Sequence, residues 1–148
     1  MVRTKGQIRS AKSKGSAFEY DCEYSLQQVF GDTYRTHERG YVMQYDLRTD
    51  IYKKVFECKC HKSMSWNQAK KYFHKLLTYK PSEYEPYLIF KSNQQPSLVM
   101  YFGRSGFVSV REFKDVFGVD FIKHPPTHKN KKDFENLEKN FPDLEDKK

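Results

Sequence analysis

Nowhere in the 148 residues does an apolar run approach the roughly 18–20 residues that span a bilayer, and no apolar signal segment follows Met1. Those absences argue against a membrane or exported protein, and a soluble, intracellular, cytoplasmic one is expected. Cysteine is scarce: Cys22, Cys58 and Cys60 are an odd count without framework spacing, which excludes a disulfide scaffold and suits a reducing compartment. Cys58-Lys59-Cys60-His61 lacks the second ligand pair of a zinc site, and alternate residues of a strand cannot wrap a tetrahedral ion. Cys58 and Cys60 therefore read as small apolar residues. There is no internal repeat, and no RNP-type aromatic motif supports RNA binding. Acid is missing from residues 1–14, which carry Arg3, Lys5, Arg9, Lys12 and Lys14.

That stretch has too few apolar residues to bury and reads as a flexible basic arm that meets phosphate. With a net charge of +8 it points to a polyanionic partner. Residues 125–148 hold six lysines and six acids, a neutral charged tail in which Phe134, Leu137 and Phe141 suit one face of a short helix. Between arm and tail, residues 15–124 are long enough for one domain.

Within that domain, Ser16 is a candidate N-cap for a helix carrying Phe18, Cys22, Leu26, Val29 and Phe30, stopped by Gly31-Asp32. Thr33–Thr36, Tyr41–Leu47 and Ile51–Cys60 read as strands, with a turn at Arg48-Thr49-Asp50. Ser63 or Ser65 caps a second helix whose apolar stripe is Trp66, Ala69, Phe73, Leu76 and Leu77. Pro81 to Pro86 reads as a loop, and Tyr87–Lys91 and Leu98–Phe102 as strands. Ser109-Val110-Arg111-Glu112 has capping-box spacing for a short helix through Phe117, ended by Gly118. The order α-β-β-β-α-β-β-α predicts an α/β fold, a mixed sheet flanked by helices.

Chemistry concentrates between Asp46 and Lys59, D-L-R-T-D-I-Y-K-K-V-F-E-C-K. On a strand, Glu57 and Lys59 share a face, because side chains repeat every two residues. Asp46 comes from the neighbouring strand. Two carboxylates and an ammonium at one sheet edge suit a Mg²⁺ site that activates water against a phosphodiester. Lysine there orients or deprotonates the water, or stabilises developing charge. Asp50 is a rival ligand; Asp46 is preferred because its interval to Glu57 leaves room for a strand, a turn and a returning strand.

At these residues the chain resembles the PD-(D/E)xK nuclease superfamily, specifically the archaeal-type Holliday junction resolvases and their phage-encoded relatives. Three segments carry the likeness, spanning about Lys14 to Phe117: Lys14-Gly15-Ser16-Ala17-Phe18-Glu19, then Asp46 with Phe56-Glu57-Cys58-Lys59, then Trp66-Asn67-Gln68-Ala69 with Tyr87-Leu88-Ile89-Phe90 and Leu98-Val99-Met100-Tyr101. The resemblance implies a restriction-endonuclease-like fold and a homodimer acting on branched DNA with Mg²⁺, for which Mn²⁺ substitutes. It implies that Asp46, Glu57 and the Cys58 backbone carbonyl bind metal, that Glu19 leans toward it, and that Lys59 serves the attacking water. The compactness of the chain and its Trp-x-Gln-Ala variant lean toward a phage or archaeal-virus origin. The family's usual proline before the aspartate is replaced by Tyr45, and its frequent serine in the Thr36–Gly40 loop by Thr36 and His37.

Other residues stay open at this stage. Arg35 and Arg39 read equally well as phosphate contacts and as ordinary surface arginines. Lys53, Lys54 and Lys62 flank the site and would add phosphate-neutralising charge. Gln68 suits either a position near the site or the helix surface. Trp66 suits core or dimer contact better than base stacking, and His61 and His74 suit structural roles.

Overall fold

The computed structural model describes residues 17–36 and 45–125. Outside them lie the basic arm with Arg3, Lys5, Arg9, Lys12 and Lys14, the Ser16 cap, His37 and Arg39, most of the expected 41–47 strand, and the tail helix over Phe134–Phe141.

Helix α1 covers residues 17–26 and is followed by strands β1 (Tyr34–Arg35), β2 (Leu47–Thr49) and β3 (Lys54–His61). Helix α2 (Trp66–Tyr79) leads to β4 (Glu85–Ser92), β5 (Leu98–Phe102), β6 (Val108–Glu112) and the short α3 (Phe113–Phe117). The protein is thus α/β, with a six-stranded mixed sheet in the order β1-β2-β3-β4-β5-β6. Every pairing is antiparallel except β3 with β4, the pair that α2 connects.

Alternation along the central strands sorts the two faces. Phe56, Cys58, Tyr87, Ile89 and Val99 pack under Phe18, Cys22 and Leu26 of α1 and under Phe113 and Phe117 of α3. On the other face Leu88, Phe90 and Met100 meet Ala69 and Phe73 of α2, while Val55 and Tyr45 meet Leu76. Parallel strands covered on both sides run nearly continuously apolar, so the charged pair Glu57 and Lys59 interrupts β3 where an apolar residue would otherwise sit. Each fully buried Phe56, Leu88 or Ile89 contributes about 1.5–3 kcal/mol of apolar burial. Cys58 and Cys60 face the α1 side, opposite Glu57 and Lys59, as the alternation predicts.

Several boundaries differ from the sequence reading. The helix of α1 ends at residue 26 and continues as a turn rather than reaching Phe30. Arg48 and Thr49 belong to β2, and the turn falls at residues 50–53, where Lys53 takes a positive φ of 54°. Asp32 dictates this: its carboxylate accepts the Thr49 hydroxyl and the Asp50 and Ile51 N–H groups, fastening the turn one step later. Glu85 and Pro86, expected in a loop, open β4 beside Lys54 and Val55. The expected helix start at Ser109 is instead β6, paired with β5, and the helix begins only at Phe113. Gly118 then caps it at a positive φ of 76°. Among the described residues no helix is long and apolar enough to cross a membrane.

Candidate functional site

The β2–β3 ladder ends with Leu47 opposite Phe56, and Asp46 lies just before it. The Asp46 N–H still donates to the Phe56 carbonyl at 3.1 Å. There the chain leaves the ladder, and the next β3 donor is met by a side chain. The Cys58 N–H donates to Asp46 Oδ2 at 2.9 Å. Asp46 thereby lies at the end of β2, close enough to Glu57 for that neighbouring carboxylate to raise its cost of ionising. The N–H and C=O of one strand residue face the same neighbour, so the Cys58 carbonyl opens on the Asp46 side as well.

Thr36 holds this departure in place. Its N–H donates to the Asp46 carbonyl at 3.0 Å, and its buried hydroxyl donates to the Tyr45 carbonyl at 2.7 Å. Tyr45, which stands where the resembled family has proline, is buried against Val55 and Leu76 and accepts from Arg48 Nη1 at 2.9 Å. Thr36 thus supports the Asp46 segment structurally.

Glu19 arrives from α1, whose Phe18 and Cys22 anchor it on the opposite layer. Its carboxylate accepts from Arg35 Nη2 at 2.8 Å and lies within reach of the Asp46 charge. Arg35 is only 5% exposed, and its guanidinium lies 4.0 Å over the Tyr20 ring. The surface and phosphate-contact readings of Arg35 are both corrected: a guanidinium enclosed by Glu19 and Tyr20 is an internal brace. A lone acid-to-base interval in sequence gives no sign of this, because β1 and α1 meet only through the fold.

Three carboxyls in sequence, Glu19 to Asp46 to Glu57, strain the local charge balance. Burial, followed by the neighbouring Glu57 carboxyl, raises the Asp46 pKa to about 7, against the Cys58 N–H and Lys59, which lower it. Burial and then Asp46 push Glu19 up, with Arg35 opposing. Glu57 is itself 7% exposed. The thiols of Cys22 and Cys58 are buried beneath them, and burial raises both.

Lys59 projects from the same face as Glu57 toward α2, where its Nζ lies 4.9 Å over the Tyr72 ring. Tyr72 Oη and His61 Nε2 share a hydrogen bond of 3.2 Å, and the two rings stack. Burial and then Lys59 hold the His61 pKa down. Tyr72 escaped the sequence reading, although its place one turn before Leu76 and three residues after Ala69 puts it on the flank of the buried stripe. Cation–π contact of this kind holds an ammonium in one orientation.

The remaining candidates fall elsewhere. Asp50 lies on the exposed turn; burial pushes its pKa up, but hydrogen bonds from Arg48, Tyr84 and Tyr34 outweigh it and hold it low. The carboxylate beside Glu57 is therefore Asp46. Gln68 is exposed and completes a capping box: its amide oxygen accepts from Ser65 N at 3.0 Å while Ser65 Oγ accepts from Gln68 N. That assignment selects Ser65 over Ser63 as the cap and places Gln68 on the helix surface. Lys62 is exposed just beyond β3. Lys53 and Lys54 pair with Glu83 and Glu85. Trp66 is 51% exposed, so the core reading does not hold for it.

The donor set fits a hard divalent cation such as Mg²⁺. All available donors are oxygens, and a buried carboxyl that holds its proton to about pH 7 marks excess negative charge that a cation relieves. Among the described residues no group of three or more His, Cys, Asp or Glu side chains is placed to hold a metal ion. An open pair of carboxylates is the arrangement Mg²⁺ takes when it keeps several waters. No family model, characterised protein or solved structure matches the chain.

Proposed function

We propose that the protein is a divalent-metal-dependent DNA endonuclease of the PD-(D/E)xK kind that resolves four-way junctions by paired nicks. One observation carries the nuclease reading: Asp46, held against β3 by the Cys58 N–H, lies beside the charges of Glu57 and Glu19, with Lys59 on the same face of β3 as Glu57. Held by Asp46 and Glu57, with the Cys58 carbonyl and Glu19 beside them, Mg²⁺ or Mn²⁺ supplies a lowered water pKa and neutralises charge on the scissile phosphate.

The chain's own groups do the rest. Arg35 fixes Glu19, and Glu19 in turn limits where the Asp46 carboxyl can point. The Lys59 ammonium, oriented by the Tyr72 ring, donates to the attacking water or to a phosphate oxygen and offsets charge that develops there. In-line attack by water, which gives up a proton to solvent, breaks the P–O3′ bond; the 3′ oxygen takes up a proton, and a 5′-phosphate and a 3′-hydroxyl that ligase can join remain. The preference for junctions rests on the three resembling segments, and a homodimer follows because two symmetric cuts need two equivalent sites. Shape and phosphate positions, not base edges, would select the substrate. The test is cleavage of an end-labelled synthetic four-way junction in Mg²⁺ beside linear duplex of the same sequence. Paired symmetric nicks confined to the junction are expected. Equal degradation of the linear duplex would leave a nuclease of another DNA structure, and no cleavage of either would end the enzymatic reading.

A further inference from the structure

From Cys58 to Ser82, the residues between Glu57 and Glu83, the chain contains six lysines and no acid. Helix α2 occupies the middle of this stretch, with Ala69, Phe73 and Leu76 buried and Lys70, Lys71 and Lys75 exposed. Among the described residues three lysines elsewhere pair with acids, Lys53 with Glu83, Lys54 with Glu85 and Lys114 with Asp120, while Lys62, Lys91 and Lys123 do not. Among the described residues, no acid pairs with Lys70, Lys71 or Lys75. Lys71 and Lys75 are four apart, a like-charge spacing that destabilises an isolated helix by about 0.2–0.5 kcal/mol. A helix face that repels itself and offers no internal counter-charge is complementary to an external polyanion.

Trp66 adds a second, different signal. At the start of the same helix its ring is half-exposed, and Lys70, one turn on, lies 5.5 Å over it. An amphipathic ring beside a cation suits a sugar-phosphate backbone or an exposed base.

We infer that the exposed side of α2, with Lys71 and Lys75 outermost and Lys70 and Trp66 along one flank, is a docking surface for the phosphate backbone of a duplex DNA arm. The inference rests on the nuclease reading for its choice of polyanion, but its readout is binding rather than cleavage. Trp66 is the single tryptophan of the chain, so intrinsic fluorescence reports on this face alone. Titration of a short blunt duplex into the full-length protein in EDTA should change Trp66 emission in a saturable way. The Lys70→Ala/Lys71→Ala/Lys75→Ala variant places good helix formers at exposed positions and should keep the fold, checked by circular dichroism. It should bind about 10-fold more weakly and show a log K against log salt slope shallower by about 2–3.

Unchanged affinity and slope in the variant, or no duplex binding by the wild type, would overturn the inference. So would binding to phosphatidylserine vesicles in place of duplex, which would make this a membrane-facing helix. Loss of binding in the variant with a wild type that never cuts DNA would sink the nuclease reading and leave the docking face standing. Normal cutting with variant binding unchanged would do the reverse.

Discussion

Glu57→Gln is expected to lower Mg²⁺-dependent cleavage by at least about 10³-fold while leaving the fold intact, since removing a metal ligand forfeits several kcal/mol of transition-state stabilisation. Glutamine matches glutamate in shape, and the buried position beside Asp46 therefore gains no cavity. The amide still accepts a hydrogen bond, but it removes the charge that the cation requires. Asp50→Asn is the matched control. Asp50 sits in a surface network with Arg48, Tyr84 and Tyr34, away from Glu57, so its variant should cut at the wild-type rate. Single-turnover cleavage of a junction by both variants checks the pair. If Asp50→Asn were the inactive one, the site would have to be rebuilt around the turn.

The second large effect concerns stability and carries a definite sign. Asp46 titrates near pH 7 in the folded protein against an ordinary value of 3.8. An acid with a raised folded pKa holds its proton longer in the folded state than in the unfolded one. Folding is favoured most below the unfolded value, and stability is lost as pH rises from about 4 through 7. Metal-free wild type should therefore weaken across that window, by on the order of 2–4 kcal/mol at most. Asp46→Asn removes the titration and should be the more stable protein at pH 8 in EDTA, with a flatter pH dependence. Adding Mg²⁺ should raise the wild-type unfolding midpoint and leave the variant's nearly unmoved. Denaturant unfolding of both proteins at pH 5 and pH 8 measures this directly. A less stable Asp46→Asn at pH 8 would mean that the carboxylate is already satisfied without metal.

How far the fold could be read from sequence depended on whether a residue's fate is local. The apolar period of α2, the alternation that puts Cys58 and Glu57 on opposite faces, and the strand Leu98–Phe102 are set by neighbours a few residues away, and all three appear as expected. β6 is different. Ser109 and Glu112 have helix-start spacing, but pairing with β5 satisfies more backbone groups than a short helix would, and only the β5–β6 hairpin reveals that choice. The turn after β2 moved for a similar reason, since Asp32, far earlier in the chain, fastens it.

The site divides the same way. Glu57 and Lys59 share a face through strand period alone, and Asp46 follows from a plausible hairpin. Arg35 could not be placed, because its partners Glu19 and Tyr20 come from a helix in another layer. Tyr72 was hidden by its amphipathic position at the margin of a buried stripe. Segment 119–125 was equally illegible: Ser25 bonds both the N–H and the carbonyl of Ile122, and Asp21 accepts from the His124 N–H, which ties the segment along α1. These contacts keep α1, and with it Glu19, seated on the sheet.

The central claim is that Asp46 and Glu57 form a metal centre, and Mn²⁺ binding tests it without assuming any substrate. Electron paramagnetic resonance titration of Mn²⁺ into wild type and Glu57→Gln at pH 8 follows free metal as protein is added. The account predicts saturable binding by the wild type, competed by Mg²⁺, and its loss in the variant. Equal uptake by both proteins, or none by the wild type, would contradict it.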